Sequence, residues 1–246
     1  MKTLVIANQK GGVGKTTLAI HIAFEAMAQQ QRVLFIDCDP QGNSTHVLSD
    51  YAEQVFNCHD LFDGEVELQS AQMVLAAGNH FLADVTEAGI SKFAKNVIKS
   101  SDFFDLCIID TPPSLGTLQV SSLLVADYVI SPFELNTFSI NGISNMIQTL
   151  ENIKKMNQKL KFLGMLPSRV NAYNQEQKAL LATLNNEYSN FMFAGEVPER
   201  QAIGMTSSLK KAVWDIKENS SARTVGKALK ATVQNILKAI MNGESS

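Results

Sequence analysis

The 246-residue sequence predicts an α/β fold, a doubly wound, mostly parallel sheet with helices on both faces, in one domain spanning residues 1–246. Three observations predict it. Short runs that are apolar throughout alternate with longer stretches of helical periodicity, the pattern of strands covered on both faces. The first run, Leu4-Val5-Ile6-Ala7, leads straight into Gln-Lys-Gly-Gly-Val-Gly-Lys-Thr-Thr at residues 9–17. Two later runs end in Asp37 and Asp110, and ligands of open α/β sheets bind outside the carboxyl ends of the strands.

The elements follow in order. Residues 2–8 predict a strand, and 16–29 a helix with Leu18, Ile22 and Ala26 on one face. Val33-Leu34-Phe35-Ile36 predicts a second buried strand. Residues 73–77 and 81–85 give weaker strand patterns, and 89–101 a helix. Phe104 to Ile109 is a strongly apolar strand closed by Asp110. Then come a helix at 115–125, a strand at 128–132, a long helix at 138–156 and a strand at 161–166. A helix near 174–188, a short strand around 191–195 and a final helix near 220–241 complete the pattern. Only Asn242 to Ser246 read as a loose tail.

Composition narrows the function classes. Hydrophobic residues make up 45% of the chain and formal net charge is −3, so the molecule is no polycation and any nucleic-acid contact needs a local basic patch. Cys38, Cys58 and Cys107 form no C-x-x-C pair, which argues against a metal site or a disulfide scaffold. Cys38 and Cys107 read as small core residues, Cys58 as isolated, and Cys58-His59-Asp60 as a chance neighbourhood rather than a ligand cluster. Functional sequence begins at Lys2, so no secretory leader is expected. No apolar run reaches the roughly 18 residues of a membrane span. The expected setting is cytoplasmic.

Residues 9–17 form a phosphate-binding loop between a strand and a helix. Glycines let backbone N–H groups turn inward into a concave anion site, and the helix N-terminus adds partial positive charge. Gly11, Gly12, Val13, Gly14 and Thr17 would cradle phosphates, Lys15 would reach the β- and γ-phosphates, and the Thr16 hydroxyl would sit on Mg²⁺. The usual pattern is G-x-x-x-x-G-K-[ST]; here Gln9 takes the first glycine position and a second lysine, Lys10, follows it. Asp110, after its apolar run, has the form of a Walker B acid that holds the metal through water. Asp37 and Asp39 would both approach the metal and γ-phosphate at the same rim, Asp39 joining Thr16 and Asp110 as a candidate for the metal. Asp39, farther into the loop, is the candidate for orienting or deprotonating the attacking water, unless Asp39-Pro40 only opens a turn.

Lys10-Gly11-Gly12-Val13-Gly14-Lys15-Thr16-Thr17 resembles the deviant Walker A box of the ParA/MinD family of P-loop ATPases. Asp37-Cys38-Asp39-Pro40-Gln41-Gly42-Asn43 is similar to that family's second box, and Ile109-Asp110-Thr111-Pro112-Pro113 to its Walker B box. The Asp-Pro-Gln-Gly-Asn string points to the ParA branch. The resemblance implies ATP and Mg²⁺ as cofactors and a homodimer closed around two ATP molecules. In it Lys10 reaches the partner's phosphates, Lys15 acts in cis, Asp39 activates water and Asp110 serves the metal. It implies a slow ATPase that coats DNA without sequence preference in the ATP state. A ParB-like partner stimulates its hydrolysis, and a plasmid or chromosome is the cargo, on the nucleoid. Some relatives position protein assemblies through a cargo adaptor instead, and others, like MinD, bind membrane.

Two further regions carry readings. In related proteins the loop at 167–174 helps hold the base. Asn171 is the candidate for a hydrogen bond to adenine, with Val197-Pro198 lying against it; a plain surface loop is the alternative. The C-terminal third is basic in places. Arg223, Lys227 and Lys230 fall at i, i+4 and i+7 on one helical face, with Lys210 and Lys211 upstream. That face is either a solvated surface or a patch for phosphate backbones. The polar ending Asn242-Gly243-Glu244-Ser245-Ser246 lacks the bulky apolar residues of a membrane tail. No helix-turn-helix domain is expected ahead of the first strand, hence no operator binding.

Overall fold

The computed structural model describes residues 1–136, 139–199, 201–217 and 220–243. In chain order its main elements are β1 (Lys2–Ile6), α1 (Lys15–Ala28), β2 (Val33–Asp37), α2 (Asn43–Leu48), β3 (Gln54–Asn57), α3 (Asp60–Asp63), β4 (Met73–Ala77) and α4 (Ile90–Lys99). There follow β5 (Leu106–Asp110), α5 (Thr117–Val125), β6 (Tyr128–Glu134), α6 (Ser139–Lys154), β7 (Lys161–Val170), α7 (Gln175–Glu187), β8 (Val197–Pro198), α8 (Gln201–Leu209) and α9 (Ser220–Asn242). The eight strands form one sheet in the order β3-β4-β2-β5-β1-β6-β7-β8. Every pair is parallel.

Strand alternation sorts the apolar side chains into two cores. Leu4, Ile6, Val33, Phe35, Leu106 and Ile108 pack on one face with Leu18 and Ile22 of α1 and Leu229, Val233 and Ile236 of α9. Val5, Leu34, Ile36, Cys107 and Ile109 pack on the other with Phe93 and Val97 of α4 and Ile143 and Met146 of α6. Each such side chain removed from water stabilises the fold by about 1.5–3 kcal/mol. The apolar stripe of α9 is therefore spent on the sheet. Among the described residues no helix is long and apolar enough to cross a membrane.

His21 ties α1 to the C-terminal third. It is fully buried. Its Nδ1 lies 2.7 Å from the Thr17 carbonyl, and its Nε2 accepts the Val213 N–H at 3.1 Å. That pair of partners fixes the neutral ring with the proton on Nδ1. Its edge packs against Trp214.

Several expectations need correction. Residues 81–85 are not a strand: a 3₁₀ turn runs over His80–Asp84, with the Asn79 side chain accepting the Phe81 N–H. The strand expected at 191–195 is a turn at Ser189–Phe191 and one bridge from Met192 to Met165. The true edge strand comes later, at Val197–Pro198. Cys58 is not isolated; its Sγ lies 3.9 Å from that of Cys38, and all three thiols are free and buried. Asn242 closes α9, while Glu244 to Ser246 of the expected tail and Phe138 at the head of the expected long helix lie outside the described residues.

Candidate functional site

The ladder β2-β5-β1 aligns the chemistry. Asp37 of β2 stands opposite Asp110 of β5, and Asp110 stands opposite Ile6 of β1. The phosphate loop leaves β1 at that same rim. Asn8 anchors its start, donating to the Ser131 hydroxyl and the Pro132 carbonyl and accepting the Lys10 N–H at 2.8 Å. Gly14 begins α1 with φ +90°, and a Cβ there would sit 2.8 Å from the Ser168 hydroxyl. Only glycine meets both demands. No side chain caps the N-terminus of α1 and no acid lies in its first turn. Its free N–H groups and dipole face the loop, as an anion site requires.

The two loop lysines differ. Lys15 is 6% exposed, and its ammonium donates to the Lys10 carbonyl at 3.2 Å. Burial pulls its pKa down while the charges of Asp110 and Asp39 pull it back up. Lys10 is half exposed, and its ammonium pairs with Glu134 at 3.0 Å.

The carboxylates form a graded set. Asp37 is buried and accepts the Asp39 and Thr45 N–H groups and the Thr45 hydroxyl. Asp110 is also buried; its Oδ2 accepts the Ser44 hydroxyl, the Thr16 side chain lies near enough to act on its carboxyl, and among the described residues its Oδ1 has no hydrogen-bond partner. A buried carboxylate oxygen lacking a donor is the group a metal ion or its bound water takes up. Burial raises the carboxyl pKa of both residues, and the Asp37 charge adds to the rise at Asp110. Asp39 lies nearer the surface, 9% exposed, with Oδ1 accepting the Gln41 N–H at 2.9 Å. Gly78, after β4, makes this loop possible. A Cβ there would meet the Asp39 carbonyl at 2.5 Å and the Asp37 carboxyl carbon at 2.8 Å.

A cavity of about 550 Å³ opens beside the loop, lined by Gly12, Gly14, Thr17, Ser168, Arg169, Val197, Pro198 and Glu199 among others. Val197 and Pro198 of the edge strand stand side by side in its wall. Asn171 does not line this cavity: its Oδ1 accepts the Tyr173 N–H and shapes the turn before α7. Ser168, buried with its hydroxyl unpartnered among the described residues, and Arg169, held at φ +54°, stand in the wall. A non-glycine residue at positive φ marks local strain, which collects at functional sites.

The five basic residues singled out in the C-terminal third separate. Lys210 pairs with Asp50 at 2.9 Å. Lys230 pairs with the buried Glu25 at 3.4 Å and lies over the Trp214 ring. Lys211, Arg223 and Lys227 stand in solvent. Among the described residues no group of three or more His, Cys, Asp or Glu side chains is placed to hold a metal by itself.

Comparison with known proteins agrees with this geometry. A family model described as an AAA domain matches residues 1–162. Protein IncC of Escherichia coli is 38% identical over 248 residues, covering 94% of this chain and 68% of IncC; a second IncC is 34% identical, with 65% of its length covered. The chain thus spans about two thirds of the length of the two IncC proteins. The chromosome-partitioning ATPase Soj of Thermus thermophilus is 28% identical, with 87% of this chain and 87% of Soj covered. The crystal structure of cobyrinic acid a,c-diamide synthase from Mycobacterium smegmatis, with a bound ATP analogue and magnesium, superposes with a TM-score of 0.79 at 26% identity. That match covers 100% of this chain and 97% of the other. The eight-stranded parallel sheet, the phosphate loop with its two lysines and the IncC match over nearly the whole chain lead to one assignment: the chain belongs to the ParA/MinD family of P-loop partition ATPases.

Proposed function

We propose that this chain is an ATP-dependent dimeric switch of the ParA type. It binds ATP with Mg²⁺, pairs with a second copy across the two nucleotides, and in that state coats DNA without sequence preference. Slow hydrolysis, stimulated by a ParB-like partner, dissolves the dimer and releases the DNA, and the cycle moves a plasmid or chromosome through the nucleoid of the cytoplasm. The observation that carries this reading is the single rim where a two-lysine phosphate loop, an uncapped helix N-terminus, Asp39 and the unpartnered Asp110 Oδ1 meet.

Each residue has a part. Gly11 to Gly14 and the first turn of α1 cradle the phosphates with backbone N–H groups, and Lys15 neutralises them in cis. Thr16 and Asp110 hold Mg²⁺, which when bound offsets phosphate charge and stabilises the leaving group. Asp39 orients the attacking water. Lys10 offsets the charge of the partner's nucleotide, which makes pairing depend on the triphosphate. The cavity wall at Val197-Pro198 takes the base.

The test is binding to a non-specific DNA duplex with ATP, with ADP and without nucleotide, across a salt series. ATP-dependent binding that weakens steeply with salt is expected, because released counterions drive it. ATP hydrolysis without DNA binding in any nucleotide state would overturn the partitioning reading and favour a protein- or membrane-bound switch.

A further inference from the structure

One carboxylate stands between two cations, one of them in the phosphate loop. Glu134 ends β6. Its Oε2 accepts from Lys10 Nζ at 3.0 Å and its Oε1 from Arg169 Nη1 at 2.9 Å. Partial burial pushes its carboxyl pKa up, but the hydrogen bonds from Lys10 and Arg169 outweigh this and hold it below the usual range. Both cations are about half exposed, so each is free to swing away. The strained backbone of Arg169 aims its guanidinium at the loop: Nη1 lies 4.0 Å from where a Cβ on Gly12 would stand. Arg169 also lines the cavity beside the phosphate loop. In this structure Lys10 is folded back onto its own chain.

We propose that Glu134 is a positioning residue that holds Lys10 beside its own phosphate loop, that Arg169 competes with Lys10 for this carboxylate, and that the phosphates carried by a second copy of the chain must draw Lys10 away from it for the two copies to pair. The inference rests on the nucleotide-site and dimer reading above. It makes dimerisation a competition between one internal carboxylate and the phosphates. Removing the carboxylate and removing the arginine must then push the ATP requirement in opposite directions.

The experiment is light-scattering mass against ATP concentration for the wild type, Glu134→Gln and Arg169→Gln, with binding of a fluorescent ATP analogue measured on the same samples. Glu134→Gln should reach half-dimerisation at roughly three- to fivefold lower ATP, the range a partly exposed ion pair supports, and should show some dimer with ADP. Arg169→Gln leaves the whole carboxylate to Lys10 and should need more ATP. A merely structural role would move both variants the same way. A wild type that stays monomeric with ATP overturns the dimer reading itself. A wild type that dimerises while Glu134→Gln shifts nowhere, or upward, overturns the role of Glu134 alone. Should Glu134→Gln not fold, Glu134→Asp, too short to span both cations, is expected to shift the same way.

Discussion

The phosphate rim and the C-terminal helix handle charge in opposite ways. At the rim, Lys15, Asp37, Asp39 and Asp110 are each no more than 9% exposed, and each is held by specific backbone or hydroxyl partners. On α9, Arg223 and Lys227 stand in water, while Lys230 is neutralised by Glu25. Buried charges interact strongly and only in one geometry; exposed charges act at a distance, add up and are screened within about 8–10 Å by salt. Single residues at the rim are therefore irreplaceable. Those of the helix should be exchangeable, and only their sum matters.

The sharpest way to break this contrast is Lys15→Ala. It removes the one buried cation of the loop and should abolish productive ATP binding; titration calorimetry giving affinity within tenfold of wild type would contradict the rim's assignment. Asp39→Ala comes next. It should still bind ATP and persist as a DNA-bound dimer, while single-turnover hydrolysis falls by about 10²-fold or more. Rapid turnover by that variant would remove Asp39 from the chemistry.

His21, which joins the two regions, gives a pH test. Burial holds its pKa at about 4, against 6.5 when unfolded. The unfolded chain therefore binds the extra proton first, so stability is full above pH 6.5 and falls as pH drops toward 4. The shift corresponds to about 3 kcal/mol in total, most of it already lost by pH 5. Urea midpoints at pH 7 and pH 5, compared with His21→Asn, should show the wild-type advantage shrinking at the lower pH. An advantage that stays constant would mean the ring is not held neutral.

The smallest effect expected is on the helix itself. Lys227→Ala should lower the slope of log affinity against log salt by about 1 per subunit while leaving binding measurable. Lys210→Ala, whose charge Asp50 already offsets, should change it less. Equal effects of the two would show that local pairing does not decide which lysines face DNA.

What was legible in the sequence follows the same divide between local and distant. The phosphate loop and the acids at 37, 39 and 110 are written in contiguous strings, and burial makes their strands apolar throughout, so element and site could be read together. Ser44, Thr45, Gly78, Glu134 and Arg169 carry no such string. Each matters because the ladder brings a loop from elsewhere against the rim, as when Gly78 leaves room for the Asp37–Asp39 turn. The missed elements are short or peripheral: β3 alternates exposed and half-buried residues at a sheet edge, and α2 has six residues, too few for a helical period to register. Asn171, suggested for the base by its place in a loop that holds the base in related proteins, has its Oδ1 engaged by the Tyr173 N–H.

The sheet order also sets when the site can exist. β1 lies between β5 and β6, and Lys2 finds its rung opposite Leu106. At synthesis rates of about 5–20 residues per second, the first strand waits roughly 5–20 s for its neighbour to be made. During that interval the phosphate loop has no Asp110 beside it and both edges of β1 are open, the condition under which parallel sheets fold slowly and aggregate. A nucleotide bound at this loop would therefore be a late ligand, expected to stabilise the completed chain without rescuing the nascent one.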